Sequence, residues 1–234
     1  MLLRRFLPNM HLRIRHFSEA KLLETVVPQY PPYLDLSEQL TQEPSLGQAL
    51  ASTMTIHNDF ISEAEEQSLI DEVEPYMSNL KYEFDHWDDA IHGYRETERL
   101  QWNEANTKIL GRVRELAFPP NVAQLKYVHI LDLEEKGHIK PHIDAVRFCG
   151  DTIAGLSLLT DSVMRLVHDK KKALYADVLL RRRSLYVMKG TARFDYTHEL
   201  LANKFSLFKG EKIFKGRRIS VICRNEPSSE RTSS

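Results

Sequence analysis

One short stretch decides the fold and the chemistry: Gly137-His138-Ile139-Lys140-Pro141-His142-Ile143-Asp144. In an extended segment, side chains two positions apart project from the same face of the chain. His142 and Asp144 should therefore point together into the space that a curled sheet encloses. A further histidine, His198, lies far downstream in the run Tyr196-Thr197-His198-Glu199. We expect it to join the other two at one site.

Two imidazoles and one carboxylate are the ligand set that holds Fe(II) on one face in non-haem oxygenases. Such a set leaves positions for a bidentate 2-oxo acid and for dioxygen. A His-x-Asp pair alone is a weak signal, because the ten histidines of this chain make a chance match common. The alternative interpretation is a surface histidine beside an aspartate in a turn.

The last predicted strand, over 217–224, strengthens the metal hypothesis. Alternate residues of a strand share one face. One face would carry Arg218, Ser220, Ile222 and Arg224, and the other Ile219, Val221 and Cys223. Arginines on a partly apolar face are costly unless they meet anions. Because a guanidinium matches a carboxylate in a bidentate manner, the pattern predicts a carboxylate ligand near the histidines.

With these features the sequence resembles the AlkB-type Fe(II)/2-oxoglutarate dioxygenases, and among them a mitochondrial branch. The resemblance covers residues 55–225 and rests on the stretches at 82–88, 90–93, 142–144, 152–159, 163–168, 196–199 and 216–224. It implies that iron is bound by His142, Asp144 and His198. It further implies that Arg218 pairs with the distal carboxylate of 2-oxoglutarate, that Arg224 lies near the iron-chelating end, and that Tyr186 offers the cosubstrate a hydroxyl.

The match has one departure. The founding AlkB enzymes hold the cosubstrate with an Asn and a Tyr on the strand before His-x-Asp, and these positions here are Leu131 and Leu133. We therefore expect that other side chains bind 2-oxoglutarate in place of these two. The resemblance also links the branch to fatty-acid metabolism and to programmed necrosis after alkylation damage.

Composition is typical of a globular domain, with 42% hydrophobic and 28% charged residues in a chain of 234. The net charge of −1 gives no general attraction to polyanions, so we expect no binding to duplex DNA. The two cysteines predict no disulfide framework and suit a reducing compartment. No apolar run reaches the length of a membrane-spanning helix. We expect a monomer without a membrane span.

The first residues are basic, amphipathic and free of acidic side chains, as in a mitochondrial transit peptide. We predict a transit peptide over 1–17, and hence a matrix location; a disordered basic tail is the alternative. A proline-containing linker is predicted over 18–50, which could strap onto the domain through Tyr30, Tyr33 and Leu34. The dioxygenase domain is predicted over 51–225 and a disordered tail over 226–234.

The fold predicted for this domain is mainly β, within the α+β class. A capping box at Ser62 and Glu65 begins a first helix, and a second is expected over 103–116 with Leu116 buried. Strands are predicted at 125–133, 138–143, 152–159, 163–168, 173–180, 184–188, 192–198 and 217–224. About eight short strands separated by turns predict a double-stranded β-helix, or jelly roll, with the N-terminal helices buttressing one sheet.

The segment 79–103 corresponds to the nucleotide-recognition lid of AlkB relatives. Its acidic residues outnumber its basic ones, which would repel phosphates. This favours a protein side chain or small metabolite as substrate. The alternative is demethylation of N-methylated bases in mitochondrial RNA, which the basic runs at 170–172 and 181–183 could support. An alternative of another class is a jelly roll that binds or signals without catalysis.

Overall fold

The computed structural model describes residues 29–84 and 90–227. Within them the chain forms twelve strands and five helices. The strands are β1 (Leu34–Leu36), β2 (Met54–His57), β3 (Ile91–Arg99), β4 (Val128–His142), β5 (Thr152–Leu158), β6 (Ser162–His168), β7 (Tyr175–Leu180), β8 (Ser184–Lys189), β9 (Tyr196–Leu200), β10 (Leu207–Phe208), β11 (Glu211–Lys212) and β12 (Arg218–Arg224). The helices are α1 (Glu38–Thr41), α2 (Pro44–Thr53), α3 (Glu63–Met77), α4 (Glu104–Ala117) and α5 (Gly190–Phe194).

Ten strands form one antiparallel sheet that curls on itself. Its order is β1-β7-β6-β9-β4-β12-β5-β8-β2, and β3 pairs with β4 off this path. The long strand β4 joins the two halves, because its first part pairs with β12 and its last residues pair with β9. The halves enclose a cavity lined by residues of β4, β5, β6, β8, β9 and β12. The predicted jelly roll is confirmed.

Strand β12 shows why this sheet is buried on both faces. Its even-numbered side chains line the cavity. Its odd-numbered ones, Ile219, Val221 and Cys223, pack in a second core with Leu69 and Val113 of helices α3 and α4. The N-terminal helices therefore buttress one half of the sheet, as the sequence predicted.

Helix α3 begins where the capping box predicted. The Ser62 hydroxyl accepts from the Glu65 amide at 3.2 Å, while the Glu65 carboxylate accepts from the Ser62 amide at 2.8 Å. In helix α4 the expectation for Leu116 is wrong, since its side chain is exposed. Ala117 turns inward in its place, one position further round the helix.

Three predicted strands differ from those observed. The strands expected at 125–133 and 138–143 are one strand, β4, and Gly137 lies inside it rather than in a turn. A Cβ on Gly137 would meet the Gly93 carbonyl oxygen at 2.5 Å, so this glycine permits the close approach of β3. The strand expected at 192–198 is preceded by α5, which begins at Gly190 in the left-handed region, with φ +48°.

The predicted linker is folded from residue 34 onward. Strand β1 pairs with the edge strand β7, and Leu40 and Leu50 of the next two helices are fully buried. The folded domain thus begins well before residue 51, because these apolar side chains complete the core. The predicted transit peptide over 1–17 lies outside the described residues. So does most of the predicted tail, although Glu226 still donates its amide to the Ala123 carbonyl.

No helix within the described ranges is both long and apolar enough to cross a membrane.

Candidate metal centre and cosubstrate cavity

The structure brings His142, Asp144 and His198 together. His142 ends β4 and is the direct cross-strand partner of His198 in β9, with their ring centroids 4.2 Å apart. Asp144 lies just beyond β4 rather than on it, which corrects the expectation of one shared strand. Its Oδ1 lies 3.2 Å from Nε2 of His142 and 3.7 Å from Nε2 of His198. We call these three residues the His-Asp-His cluster.

The cluster fits a metal ion by its donor set and its orientation. One ligand atom from each residue lies within 4.8 Å of the others. Nδ1 of His142 is 2.9 Å from the Lys140 carbonyl oxygen, so Nδ1 carries a proton, and Nε2, which faces Asp144, is the nitrogen that would bind a metal. Nδ1 of His198 is buried and has no hydrogen-bond partner within the described part of the chain. Two imidazoles and a carboxylate suit Fe(II).

The protonation states also suit a metal. Burial would raise the pKa of Asp144, but the hydrogen bond from His142 and the charges of His198 and Arg224 outweigh it and lower that pKa well below its usual range. Burial, together with the charge of His142, lowers the pKa of His198 to about 3. A neutral imidazole beside an ionised carboxylate is the form in which these groups bind cations.

Asp144 is held from behind by Arg224 and by two residues that the sequence did not indicate. Nη2 of Arg224 lies 3.4 Å from Oδ2 of Asp144. The Cys149 thiol lies 3.9 Å from the same oxygen and accepts a hydrogen bond from the fully buried Arg193. No spacing rule pointed to Cys149 or Arg193, because they come from a loop and from α5.

Arg218 is the unusual charge of the cavity. Its side chain is 2% exposed, and it donates to the hydroxyls of Ser157, at 3.1 Å, and Ser220. No carboxylate among the described residues forms an ion pair with it. Burial lowers its pKa to about 10. A buried guanidinium with only hydroxyl partners is costly, so this part of the cavity fits an anionic ligand.

Tyr186 of β8 lies beside Arg218 in the same cavity, of about 830 Å³. Burial raises the pKa of its hydroxyl, which therefore keeps its proton and can donate it. The ring lies over Gly155 of β5, where a Cβ would come within 2.5 Å of it. Gly155 thus provides the space in which the phenol sits.

A hydrogen-bond chain leads outward from the cluster. Nη1 of Arg224 donates to Nδ1 of His129 at 3.1 Å, and Nε2 of His129 lies 2.9 Å from a carboxylate oxygen of Glu96. His129 lines the cavity. The signal that could have found its role is alternation, because His129 and Leu131 share the inward face of β4.

Leu131 and Leu133 stand where the founding AlkB enzymes have polar residues. Leu131 lines the cavity and Leu133 is fully buried opposite Arg218 on β12. Neither side chain can hydrogen-bond. Any polar hold on a ligand must therefore come from the arginines, serines and tyrosine of the neighbouring strands.

Every arginine considered for nucleic-acid binding, in the lid segment and in the run at 181–183, lies near a carboxylate. In the lid segment, Nε of Arg95 donates to Asp132 at 2.7 Å and Arg99 pairs with Glu72 at 3.1 Å. The runs at 170–172 and 181–183 stand at opposite ends of β7, so they do not form one edge. In the second run every arginine lies near an acid: Arg181 near Asp161, Arg182 near Glu66, and Arg183 near Asp59 and Glu63.

Comparison with known proteins gives close sequence relatives. The chain is 51% identical over 178 residues to "Alpha-ketoglutarate-dependent dioxygenase alkB homolog 7, mitochondrial" of Bos taurus, a match that covers 76% of this chain and 80% of the relative. The Mus musculus protein of the same name is 50% identical over 178 residues, a match that also covers 76% of this chain and 80% of the relative. No protein-family model matches.

Solved structures share the fold. The structure of OsALKBH1 has a TM-score of 0.55 at 11% identity, covering 74% of this chain and 97% of that chain. A Pseudomonas putida prolyl-4-hydroxylase has a TM-score of 0.55 at 14% identity, covering 79% and 100%. At such identities the likeness concerns the jelly roll alone.

The curled sheet, its cavity and the sequence relatives together define a dioxygenase that depends on Fe(II), 2-oxoglutarate and O2. Within that class, the chain belongs to the family of mitochondrial alkB homolog 7. Its location is therefore mitochondrial. Alpha-ketoglutarate, the word used in the name of these relatives, is a synonym of 2-oxoglutarate. The resemblance drawn from the motifs is confirmed, and it favours the enzyme over the alternative of a jelly roll that binds or signals without catalysis.

Proposed function

We propose that the His-Asp-His cluster binds Fe(II) and that Arg218 and Tyr186 hold the distal carboxylate of 2-oxoglutarate, with Arg224 near the iron-chelating end. The observation that carries this assignment is the buried guanidinium of Arg218, which has hydroxyl partners but no acidic one among the described residues. A dicarboxylate entering the same cavity would supply the missing charge.

Bound Fe(II) and 2-oxoglutarate supply the power to oxidise an unactivated C–H bond with O2, with succinate and carbon dioxide as the other products. The chain supplies position and a dry space. Arg218 orients the carboxylate, and Arg224 fixes Asp144 through their 3.4 Å contact. The apolar walls at Leu131, Met164 and Ile222 keep water away from the reacting groups.

The substrate we favour is a protein side chain or a small metabolite. The exposed residues that line the cavity include Glu98, Lys126, Tyr127 and Phe148. Because the one lysine is balanced by the one glutamate, this rim has no excess of positive charge to attract phosphates, and the nearby arginines already pair with carboxylates. The alternative, demethylation of mitochondrial RNA, predicts RNA binding that weakens steeply as the salt concentration rises. RNA binding that is weak and independent of salt would support a protein side chain or small metabolite as the substrate.

The first experiment measures succinate release by the full chain with Fe(II) and 2-oxoglutarate. We expect His142→Ala to abolish both release and iron uptake. Arg218→Ala should raise the Kd for 2-oxoglutarate at least tenfold and leave iron uptake largely intact. Arg181→Ala, which removes an exposed arginine that does not line the cavity, is the matched control and should change neither. Normal cosubstrate affinity in Arg218→Ala would refute the assignment.

The second experiment identifies the substrate. The enzyme is incubated with matrix extract, Fe(II), 2-oxoglutarate and oxygen, and protein, RNA and metabolites are compared by mass spectrometry with a His142→Ala sample. New oxidations on protein or metabolite support the favoured class. Lost methyl groups on RNA would select the alternative.

We further propose a monomer of the mitochondrial matrix, delivered by a transit peptide over 1–17, and a cellular role in fatty-acid metabolism and in programmed necrosis after alkylation damage. The sequence family supports the mitochondrial location, and the basic, acid-free N-terminus supports import. Sequencing the N-terminus of the mature protein and following fatty-acid oxidation and survival in cells that carry His142→Ala test these points.

A further inference from the structure

A short hairpin between β9 and β12 presents an apolar face to solvent. Its strands β10 and β11 pair Leu207 with Lys212, and the Ile213 amide continues the pairing to the Ser206 carbonyl. Directly opposed residues of an antiparallel pair share a face. The outer face of this hairpin, residues 203–214, therefore carries Phe205, Leu207, Lys212 and Phe214. The three apolar side chains are 58%, 48% and 63% exposed.

The inner face of the hairpin is firmly anchored. Phe208 and Ile213 pack with Val163 and Leu179 of the main sheet. At the base, the buried Lys215 donates to the carbonyl oxygens of residues 134 and 135, each at 2.8 Å. The exposed aromatic residues thus belong to an ordered element, and their exposure is a property of the fold.

Positive charge predominates around the apolar face. Lys204, Lys209 and Lys212 are exposed, against two acidic residues: Glu211 in the hairpin and Asp35 beside it, whose carboxylate accepts from the Lys209 amide at 3.0 Å. The ammonium groups of Lys209 and Lys212 reach backbone carbonyl oxygens of Pro32 and Asn203, which leave their charge intact. The Lys204 ammonium lies over the Phe205 ring, 5.1 Å from its centroid. Among the described residues none of the three lysines forms an ion pair.

We propose that the outer face of the 203–214 hairpin docks onto an anionic lipid bilayer. Aromatic and aliphatic side chains ringed by lysines suit the boundary between headgroups and acyl chains, where lysine stems lie on the apolar surface and their charges meet the headgroups. A stable protein interface needs about 20 to 30 residues on each side, far more than this face offers. Shallow bilayer contact needs only a few apolar anchors and local positive charge. This surface is separate from the cavity, so the inference stands independently of the proposed reaction.

The test uses the full chain and a probe confined to the hairpin. Leu207→Cys is labelled with an environment-sensitive dye; the native Cys149 and Cys223 are buried. The matched control is Tyr76→Cys, a half-exposed position on α3 with the same label. Each is titrated with vesicles of phosphatidylcholine mixed with phosphatidylserine, and with vesicles of phosphatidylcholine alone. The predicted basic N-terminus is present in both proteins, so only the position of the probe differs.

We expect a blue shift at position 207 on the mixed vesicles and no comparable shift at position 76 or on phosphatidylcholine. Lys204→Glu with Lys212→Glu should weaken the response about tenfold or more, and Phe205→Ser with Phe214→Ser should remove it while 2-oxoglutarate turnover is retained. No shift at 207 on anionic vesicles would overturn the proposal. An equal shift with soluble polyglutamate would also overturn it, because the surface would then bind an acidic protein.

Discussion

Nη1 of Arg224 donates to Nδ1 of His129 across 3.1 Å. Because a guanidinium has no acceptor, His129 must offer a lone pair at Nδ1 and carry its proton at Nε2, which faces Glu96 at 2.9 Å. The tautomer of His129 is thus set by its two neighbours. Through Arg224, which reaches Asp144, an outer residue of the cavity can influence the orientation of the His-Asp-His cluster.

His129 should therefore act as a positioning residue. His129→Leu removes the acceptor for Arg224 and should raise the KM for 2-oxoglutarate about tenfold, since hydrogen bonds to charged groups contribute about 1.5–3 kcal/mol. His129→Asn keeps an acceptor close to the place of Nδ1 and should recover most of the affinity. Steady-state kinetics of the two variants, with iron content as a control, decide the matter. Equal KM values in both variants would leave His129 with a packing role only.

Gly155 should be required for the position of Tyr186. In Gly155→Ala the new methyl group would meet the phenol ring at 2.5 Å, so the ring must move and the KM for 2-oxoglutarate should rise several-fold. The crowding should also lower the free energy of unfolding by about 1–3 kcal/mol.

The matched control for that change is Gly111→Ala. Gly111 lies in α4 with open space around a Cβ. Removing a helix glycine should stabilise the fold by about 0.5–1 kcal/mol and leave KM unchanged. Urea unfolding and steady-state kinetics measure both quantities, and an unaltered KM in Gly155→Ala would contradict the role given to Tyr186.

The sequence was sufficient for the features that depend on alternation. The inward and outward faces of β12 follow from the two-residue period of strands. The meeting of His142 with His198 was expected from the order of the motifs and from the family resemblance. The capping box at Ser62 is a local signal, because both of its hydrogen bonds join residues three apart.

The features that the sequence did not predict depend on distant pairing. Gly137 looked like a turn because its partner β3, which crowds it through Gly93, lies far away in sequence. The predicted linker is interrupted by prolines and shows little period, yet β1 finds an open edge on β7. The contacts of Cys149 and Arg193 behind Asp144 arise from a loop and a short helix, for which no periodicity exists.

Asp132 should be the main polar support of the lid strand β3. Its buried carboxylate accepts from Arg95 at 2.7 Å, from Nη2 of Arg217 at 2.7 Å and from the Tyr82 hydroxyl at 3.2 Å. Asp132→Asn leaves Arg95 and Arg217 with Glu74 as their remaining carboxylate, at 3.8 and 2.8 Å. The loss of the charged hydrogen bonds to Asp132 should therefore cost about 1.5–3 kcal/mol of unfolding free energy.

An exposed ion pair provides the comparison. Asp169, on the surface, lies 3.2 Å from Lys172, and Asp169→Asn should cost less than about 1 kcal/mol. Urea unfolding of both variants gives the two values. A similar small loss in both would mean that the Asp132 cluster gains no more from its burial than a surface pair.

Lys215 should make stability depend on alkaline pH. Burial, reinforced by the charge of Arg218, lowers the pKa of its ammonium from an ordinary 10.5 to about 8 in the folded chain. Between these two pH values the unfolded chain binds more protons at Lys215 than the folded chain does. The contribution of Lys215 to the free energy of unfolding therefore rises with pH and reaches its full value above pH 10.5.

Lys215→Met isolates this contribution, because every other titrating group is shared by the two proteins. The difference in unfolding free energy between the native chain and the variant should increase by about 1–3 kcal/mol from mildly to strongly alkaline pH. Urea unfolding at a series of pH values measures it. If the unfolding free energies of the native chain and the variant change in parallel with pH, burial does not lower the pKa of Lys215. The three carbonyl oxygens around Nζ would then stabilise the ammonium as well as water does.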